Sequence, residues 1–237
     1  MQIAVLTFEG FNELDSFVAA SILNRMRSRG WAAYITAPAE RVTSMNGVTV
    51  ERQRPMSFAA EADAVLIGSG MRTRDVAADP ALMAQITLDP TRQLIGAQCS
   101  GTLLLAKLGL LGDLPACTDL TSKPWAVEAG ANIVDAPFAA HGNVATAGGC
   151  LASQYLATWL IARGASLGAA EEAARDSSPA RKSNRHPDAR PAGGAPPPAS
   201  DRASMHYVAP VGEKALYVER ALGIVAPFLT AEAALVP

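Results

Sequence analysis

Cys99 stands in the stretch Gln93-Leu-Ile-Gly-Ala-Gln-Cys-Ser-Gly-Thr-Leu-Leu-Leu-Ala106, where a run suited to a buried strand breaks and restarts as a helix. A side chain at such a turn is thrust out of the sheet, and Gly101, two residues on, lets neighbouring backbone pack against it. The turn also sets the thiol at a helix N-terminus, where unpaired amides and the dipole favour the thiolate. A small buried core cysteine is the alternative for a lone Cys in an apolar segment. The order strand, break, glycine, helix favours the reactive thiol.

If the strands are parallel, loops at their carboxyl ends gather on one edge, where ligands bind. Three places then converge: the Glu13/Asp15 turn after the first strand, the Gly68-Ser69-Gly70 loop after another, and Cys99 itself. A carboxyl group beside a thiol can donate to the thiolate or move a proton on and off substrate. Asp15, at the start of its helix, is the first choice for that role. Taken alone it reads more readily as an ordinary cap or first-turn carboxylate, and Glu13 shares the ambiguity. The Gly68, Ser69 and Gly70 loop and the Ser100 amide are candidate oxyanion donors, although a lone Gly-Ser-Gly is usually a flexible turn. Ser100 adds a hydroxyl beside the nucleophile, or serves only the helix start.

A cysteine hydrolase generally wants a histidine base. Of the three histidines, His186 falls in a segment without core-forming residues, His141 in a hairpin, and His206 before Tyr207, and each reads more readily as structural or solvated than as catalytic. The three Cys and three His show no metal-ligand spacing, and no Gly-rich loop carries a Lys-Ser/Thr pair for phosphate. Neither metal nor cofactor is therefore expected. Lys and Arg number 20 against 22 Asp and Glu, which argues against nucleic acid and for a small molecule or a second copy of the chain as partner. Cys99, Cys117 and Cys150 are too few for a disulfide framework and suit a reducing compartment. With a first strand directly at Met1, and with Lys107 interrupting the longest apolar helical run, a soluble cytoplasmic protein away from membranes is expected.

These groups need a scaffold, and 237 residues, 49% apolar, suffice for one large core. Ile3 to Phe8 reads as a strand covered on both faces. A helix follows from Glu13 to near Gly30, then a strand from Ala32 to Ala37. Asn46-Gly47 marks a hairpin within Arg41 to Arg52. Ala64 to Ile67 and Gln93 to Gln98 are further buried strands. Helices are expected from Pro80 to Leu88 with Asp79 as cap, from Ser100 to about Leu111, and from Ser122 to Gly130 with Ser122 as cap. Short strands are expected at Pro115 to Thr118, at Ile133 to Asp135 and around His141-Gly142-Asn143. Gly148-Gly149 opens a long helix with Leu151, Tyr155, Leu156, Trp159, Leu160 and Ile161 as apolar positions. The alternation predicts an α/β fold with a mainly parallel sheet.

Arg175 to Ser204 holds six prolines, six Arg or Lys and three Asp, and no Leu, Ile, Val, Met or aromatic residue. It cannot bury a core and is expected to be disordered. One domain over 1–174, an insertion over 175–204 and a C-terminal segment 205–237 completing the same domain is the expected organisation.

Several pieces at their mutual spacing resemble the DJ-1/PfpI superfamily of class I glutamine-amidotransferase-like proteins: Glu13-Leu14-Asp15, the Gly68-Ser69-Gly70 loop, Ala97-Gln-Cys-Ser-Gly101, Gly109-Leu-Leu111, Cys117-Thr118, Thr146-Ala-Gly-Gly149 and Tyr207-Val-Ala-Pro210. The resemblance implies a flavodoxin-like three-layer sandwich, a homodimer, and Cys99 as an elbow nucleophile. Within that group the chain is most similar to isonitrile hydratases, in which an Asp falls at Asp15, the elbow Cys at Cys99 and a hydroxyl residue, more usually Thr, at Ser100. That likeness implies hydration of an isocyanide to an N-substituted formamide, with Asp15 as acid/base. A glyoxalase- or deglycase-like enzyme on α-oxoaldehydes and a non-enzymatic oxidant sensor or protective protein are the alternatives. The loop that usually reads Pro-Gly-Gly is Gly68-Ser69-Gly70 here. Asp119 occupies the place where many relatives carry a His, which argues against a Cys-His peptidase, and the 175–204 segment is foreign to the pattern.

Overall fold

The computed structural model describes residues 1–177 and 223–229. Strand β1 (Gln2–Leu6) leads into helix α1 (Glu13–Leu23), whose last turn tightens into a 3-10 helix over Asn24–Arg29 and stops at Gly30, φ 77°. Strand β2 (Ala32–Ala37) follows, then the hairpin β3 (Arg41–Thr43) and β4 (Thr49–Glu51), the short edge strand β5 (Arg54–Pro55) and strand β6 (Ala64–Ile67). Next come α2 (Thr73–Ala77), α3 (Pro80–Met83), β7 (Leu94–Gln98) and α4 (Gly101–Lys107). Beyond them lie β8 (Pro115–Ala116), α5 (Lys123–Glu128), β9 (Asn132–Ile133), β10 (Phe138–His141) and β11 (Val144–Ala147). Helices α6 (Ser153–Gly164) and α7 (Leu167–Ser177) complete the first 177 residues.

The main sheet has the order β10-β11-β7-β6-β1-β2-β5, and only the β10–β11 pair is antiparallel. Its central strands β1, β6 and β7 are apolar except at their ends, Gln2 and Gln98, because both faces are covered. Ile3, Val5 and Leu66 face α1, α6 and α7, with Trp159 fully buried between them. Ala4, Val65, Ile67 and Ile95 face the other way, onto Leu104 and Leu105 of α4 and Ala126 of α5. Two cores on one sheet make a three-layer, flavodoxin-like α/β sandwich. The helix over 223–229 adds Val225 to the first core, and Phe228 meets Phe138 edge-on with ring centroids 5.3 Å apart.

At Gly96 in β7 a Cβ atom would sit 2.4 Å from a Leu66 methyl and 3.1 Å from one of Leu156, so α6 lies close on the strand that leads to Cys99. The expected hairpin is present, with Arg41 opposite Glu51 and Gly47 at φ 87° in its turn.

Several expected elements differ. The helix begun by Asp79 lasts only to Met83, and α2 precedes it unforeseen; Asp79 does cap it, accepting from the amides of Ala81 and Leu82. Helix α4 ends at Lys107 because Gly109 turns the chain at φ 71°. Asp119, not Ser122, holds the start of the next helix, since its Oδ1 accepts from the amides of Thr121 and Ser122, each at 3.0 Å. Leu151 was assigned to an apolar helix face, yet it lies in a 3-10 turn over Cys150–Ala152 and is 65% exposed. Helix α7 was not foreseen. It packs through Ala169, Ala170, Ala173 and Ala174, whose small side chains give little hydrophobic signal. It reaches Ser177, three residues into the stretch read as an insertion; the rest of that stretch, His186, His206 and Tyr207 to Pro210 lie outside the described residues. Among the described residues no helix is long and apolar enough to cross a membrane.

Candidate active site

Cys99 adopts φ 45°, and among the described residues it is the one non-glycine with a positive φ. This left-handed conformation is costly for a residue with a Cβ and persists where the surroundings enforce it. They do so through three hydrogen bonds: the Cys99 amide donates to Ala147 O at 2.8 Å, while its carbonyl accepts from Thr118 Oγ1 at 2.7 Å and from the Thr102 amide at 3.2 Å. Gly101 completes the elbow. A Cβ there would lie 2.7 Å from Ile67 O and 3.0 Å from Gly68 O, so only glycine lets the strand-to-helix turn rest on the end of β6.

The parallel sheet brings the carboxyl ends of β1, β6, β7 and β11 to one edge. Asp15, in the first turn of α1, is fully buried there. Ser69 Oγ donates to its Oδ2 and Ser16 Oγ to its Oδ1 at 3.3 Å, and the amides of Ser69 and Ser16 add to these. With its amide turned to satisfy both of its atoms, Gln98 donates to Asp15 O at 3.1 Å and Oδ1 at 3.3 Å. Burial nevertheless outweighs these bonds and pushes the Asp15 pKa up to about 6.

Cys99 is 3% exposed. Its thiol is pushed far above the ordinary value, first by burial and then by the neighbouring Asp15, Cys150 and Asp119. The helix start was expected to favour a thiolate; desolvation and surrounding negative charge reverse that. The proton thus rests on sulfur, beside a carboxylate able to take it.

A Cys99 sulfur, a Cys150 sulfur and an Asp15 carboxylate oxygen all lie within 4.8 Å of one another. Cys150 was no part of the expected site. Strand β11 runs parallel to β7 with Ala147 opposite Gln98, so the Gly148-Gly149-Cys150 turn reaches the same edge as Cys99. Parallel strand ends gather Asp15, Gly68 to Gly70 and Cys99 at this edge, and the end of β11 is a fourth such end, so the Gly148-Gly149-Cys150 stretch after a strand is the sequence signal for Cys150. Asn12, the α1 cap, donates through Nδ2 to Cys150 Sγ at 2.9 Å. Among the described residues these three groups are the one set close enough to share a metal ion, although the chain spacing of Cys and His gives no sign of it. Both Asp15 oxygens already accept hydrogen bonds, which suits a proton-sharing cluster better than a ligand set.

Ser100 and the Gly68-Ser69-Gly70 loop adjoin the cluster but face one another. Ser100 Oγ accepts from the Gly70 amide at 3.1 Å and shares a 2.8 Å hydrogen bond with Thr73 Oγ1. The Gly68 amide donates to Leu6 O, and the Ser69 amide to Asp15. All three loop amides expected as oxyanion donors are therefore engaged within the protein. Gly70 is needed for the close approach itself, since a Cβ would lie 2.6 Å from Gly10 O.

Glu13, the other candidate carboxylate, turns away to accept from Asn46 Nδ2 at 2.8 Å and so docks the hairpin turn. His141, the only histidine among the described residues, pairs with Val144, itself opposite Ile95 near the start of β7. That is the far end of the sheet from Cys99. No histidine of the described residues reaches the thiol, and Asp119 nearby is occupied with its helix cap.

Comparison with known proteins bears on the same residues. Among curated proteins no match is found. A ThiJ/PfpI family protein from Pseudomonas syringae superposes with a TM-score of 0.68 at 22% identity, covering 95% of this chain and 87% of that one. A mutant of a DJ-1 superfamily protein from Salmonella typhimurium gives a TM-score of 0.65 at 25% identity, covering 74% and 96%. Drosophila melanogaster DJ-1β gives 0.64 at 20%, covering 74% and 96%. The family model described as the DJ-1/PfpI family matches residues 1–163. With the main sheet and every side chain around Cys99 inside that match, the chain belongs to the DJ-1/PfpI family.

Proposed function

We propose that the protein is a cysteine-dependent hydratase of a small carbon–nitrogen electrophile, with an isocyanide as substrate and an N-substituted formamide as product. The observation that carries this is the pairing of a protonated Cys99 thiol with a buried Asp15 carboxyl of pKa about 6, within 4.8 Å and with no histidine beside them among the described residues. The Asp15 carboxylate takes the thiol proton as sulfur attacks the terminal isocyanide carbon. Transfer relieves the charge that raises the thiol, because the carboxyl becomes neutral as the thiolate forms. Asp15 then delivers that proton to the same carbon, leaving a thioimidate. Water adds to the thioimidate, the C–S bond breaks, and the formamide leaves as the thiol regains its proton. The Thr102 and Leu103 amides are taken by Cys99 O and Ser100 O. The Ser100 amide, next to the nucleophile at the elbow, takes the oxyanion-type role that the engaged loop amides do not offer. Ser100, through Gly70 and Thr73, ties the elbow to that loop, and the expected homodimer belongs to the same reading.

The test is formamide formation from alkyl and aryl isocyanides. Turnover by the wild-type chain should vanish in Cys99→Ala and fall by about 10²–10⁴ in Asp15→Asn, the range of a lost general acid–base group. kcat/KM should rise with pH through about 6 as the Asp15 carboxylate forms. No formamide, or turnover intact in Cys99→Ala, would refute the reading. Lactate formation from methylglyoxal in place of formamide would move the same pair to α-oxoaldehyde chemistry.

A further inference from the structure

Asp15 and Cys99 suffice for the chemistry above, and Cys150 is left over. Its position is specific. The thiol sits on the outer side of the cluster, half-buried where Cys99 is nearly enclosed, in hydrogen-bonding contact with the Cys99 thiol. Both thiols are free. The third cysteine, Cys117, is fully buried and is not a member of this group. Asn12 directs an N–H at the Cys150 sulfur at 2.9 Å, which holds that sulfur beside the cluster.

We infer that Cys150 is a resolving thiol for Cys99, and that a hydroperoxide converts the pair to a reversible intramolecular Cys99–Cys150 disulfide. In the first step Cys99 sulfur attacks the outer oxygen of the hydroperoxide. An S–O bond forms, the O–O bond breaks, and the departing oxygen takes the thiol proton by way of Asp15 and leaves as an alcohol or water. Cys99 is then a sulfenic acid. In the second step Cys150 sulfur attacks the Cys99 sulfur. The S–S bond forms, the S–O bond breaks, and the hydroxide leaves as water with the Cys150 proton. The hydroperoxide has taken two electrons from two thiols; an external dithiol returns them and restores both.

Geometry favours closure over further oxidation. A disulfide needs its sulfurs about 2 Å apart, and one change of the Cys150 staggered rotamer moves its sulfur by roughly 3 Å, enough to cross a gap of under 4.8 Å. Cys150 stands at the start of a single 3-10 turn preceded by Gly149 at φ 88°, so the adjustment falls on a short connection rather than on the sheet. Capture by a neighbouring thiol also keeps the sulfenic acid from the irreversible sulfinic and sulfonic states.

This depends on Cys99 being oxidisable and not on isocyanide turnover, so the two can fail separately. The experiment is peptide mapping by mass spectrometry of the full chain after one equivalent of hydrogen peroxide. The expected result is loss of two hydrogens, with Cys99 and Cys150 linked, in the wild type and in Cys117→Ser alike, reversed by dithiothreitol. In Cys150→Ser the expected products are a dimedone-trapped sulfenic acid and then addition of two oxygens at Cys99. Oxygen addition at Cys99 of the wild type without linkage, linkage to Cys117, or no oxidation of Cys99 at all would overturn the inference.

Discussion

Asp15 is held between two opposed influences, enclosure that favours its acid form and donors from Ser16, Ser69 and Gln98 that favour its anion. Enclosure prevails, and a consequence for stability follows. The folded carboxyl titrates near 6 against an ordinary 3.8, so between those values the native state binds a proton that the unfolded chain does not. Stability contributed by this group is therefore greatest on the acid side and falls as pH rises through the window. The full span corresponds to about 3 kcal/mol at 1.36 kcal/mol per unit, and raising the pH from 5 to 7 should cost about 1 kcal/mol. Urea unfolding at both values should show it, and Asp15→Ala should remove that part of the slope. Asp15 and Cys99 were readable as residues because helix starts and strand breaks leave local marks. Their titration was not, since it arises from enclosure by β1, β6, β7 and β11 together. Cys150 carries no local mark either; it becomes a neighbour only through the register of β11 on β7.

Among the elements, the strands were the most readable, because both faces of β1, β6 and β7 are covered and leave unbroken apolar runs. The Asn46-Gly47 hairpin was readable for its turn chemistry. Helices α3 and α4 were drawn too long, since apolar residues such as Ile86 and Leu111 are buried from connecting segments rather than from helix. Helix α7 was missed because alanine contacts need only close approach, not a strong apolar stripe. The elbow is the element on which the site depends most. Gly101→Ala puts a methyl against two backbone carbonyls that cannot swing aside, and should destabilise by about 1–3 kcal/mol. Denaturant midpoints should register that loss, while Gly112→Ala, with nothing near its Cβ position but a φ of 50°, should report the cost of backbone conformation alone.

For the whole molecule, the sandwich is built from two cores on one sheet, and the helix over 223–229 belongs to the first of them through Val225. Val225→Ala should therefore cost about 2 kcal/mol, a core truncation far along the chain from the sheet it supports, measurable as a lower unfolding midpoint. The homodimer implied by the family resemblance should appear in light scattering as twice the chain mass, and a single-chain mass would remove it.

Gly96 gives the two cores a further meaning. At that residue a Cβ would press on a Leu66 methyl of β6 and, at 3.1 Å, on a Leu156 methyl of α6, and the turn carrying Cys150 is the lead-in to α6. The thickness of one layer of the sandwich is thereby a ruler for the gap between two thiols lying beyond its edge. Gly96→Ala, although it touches neither sulfur, should push on Leu66 and Leu156 and so on the lead-in to α6, so that redox behaviour at the sheet edge answers to packing in the interior.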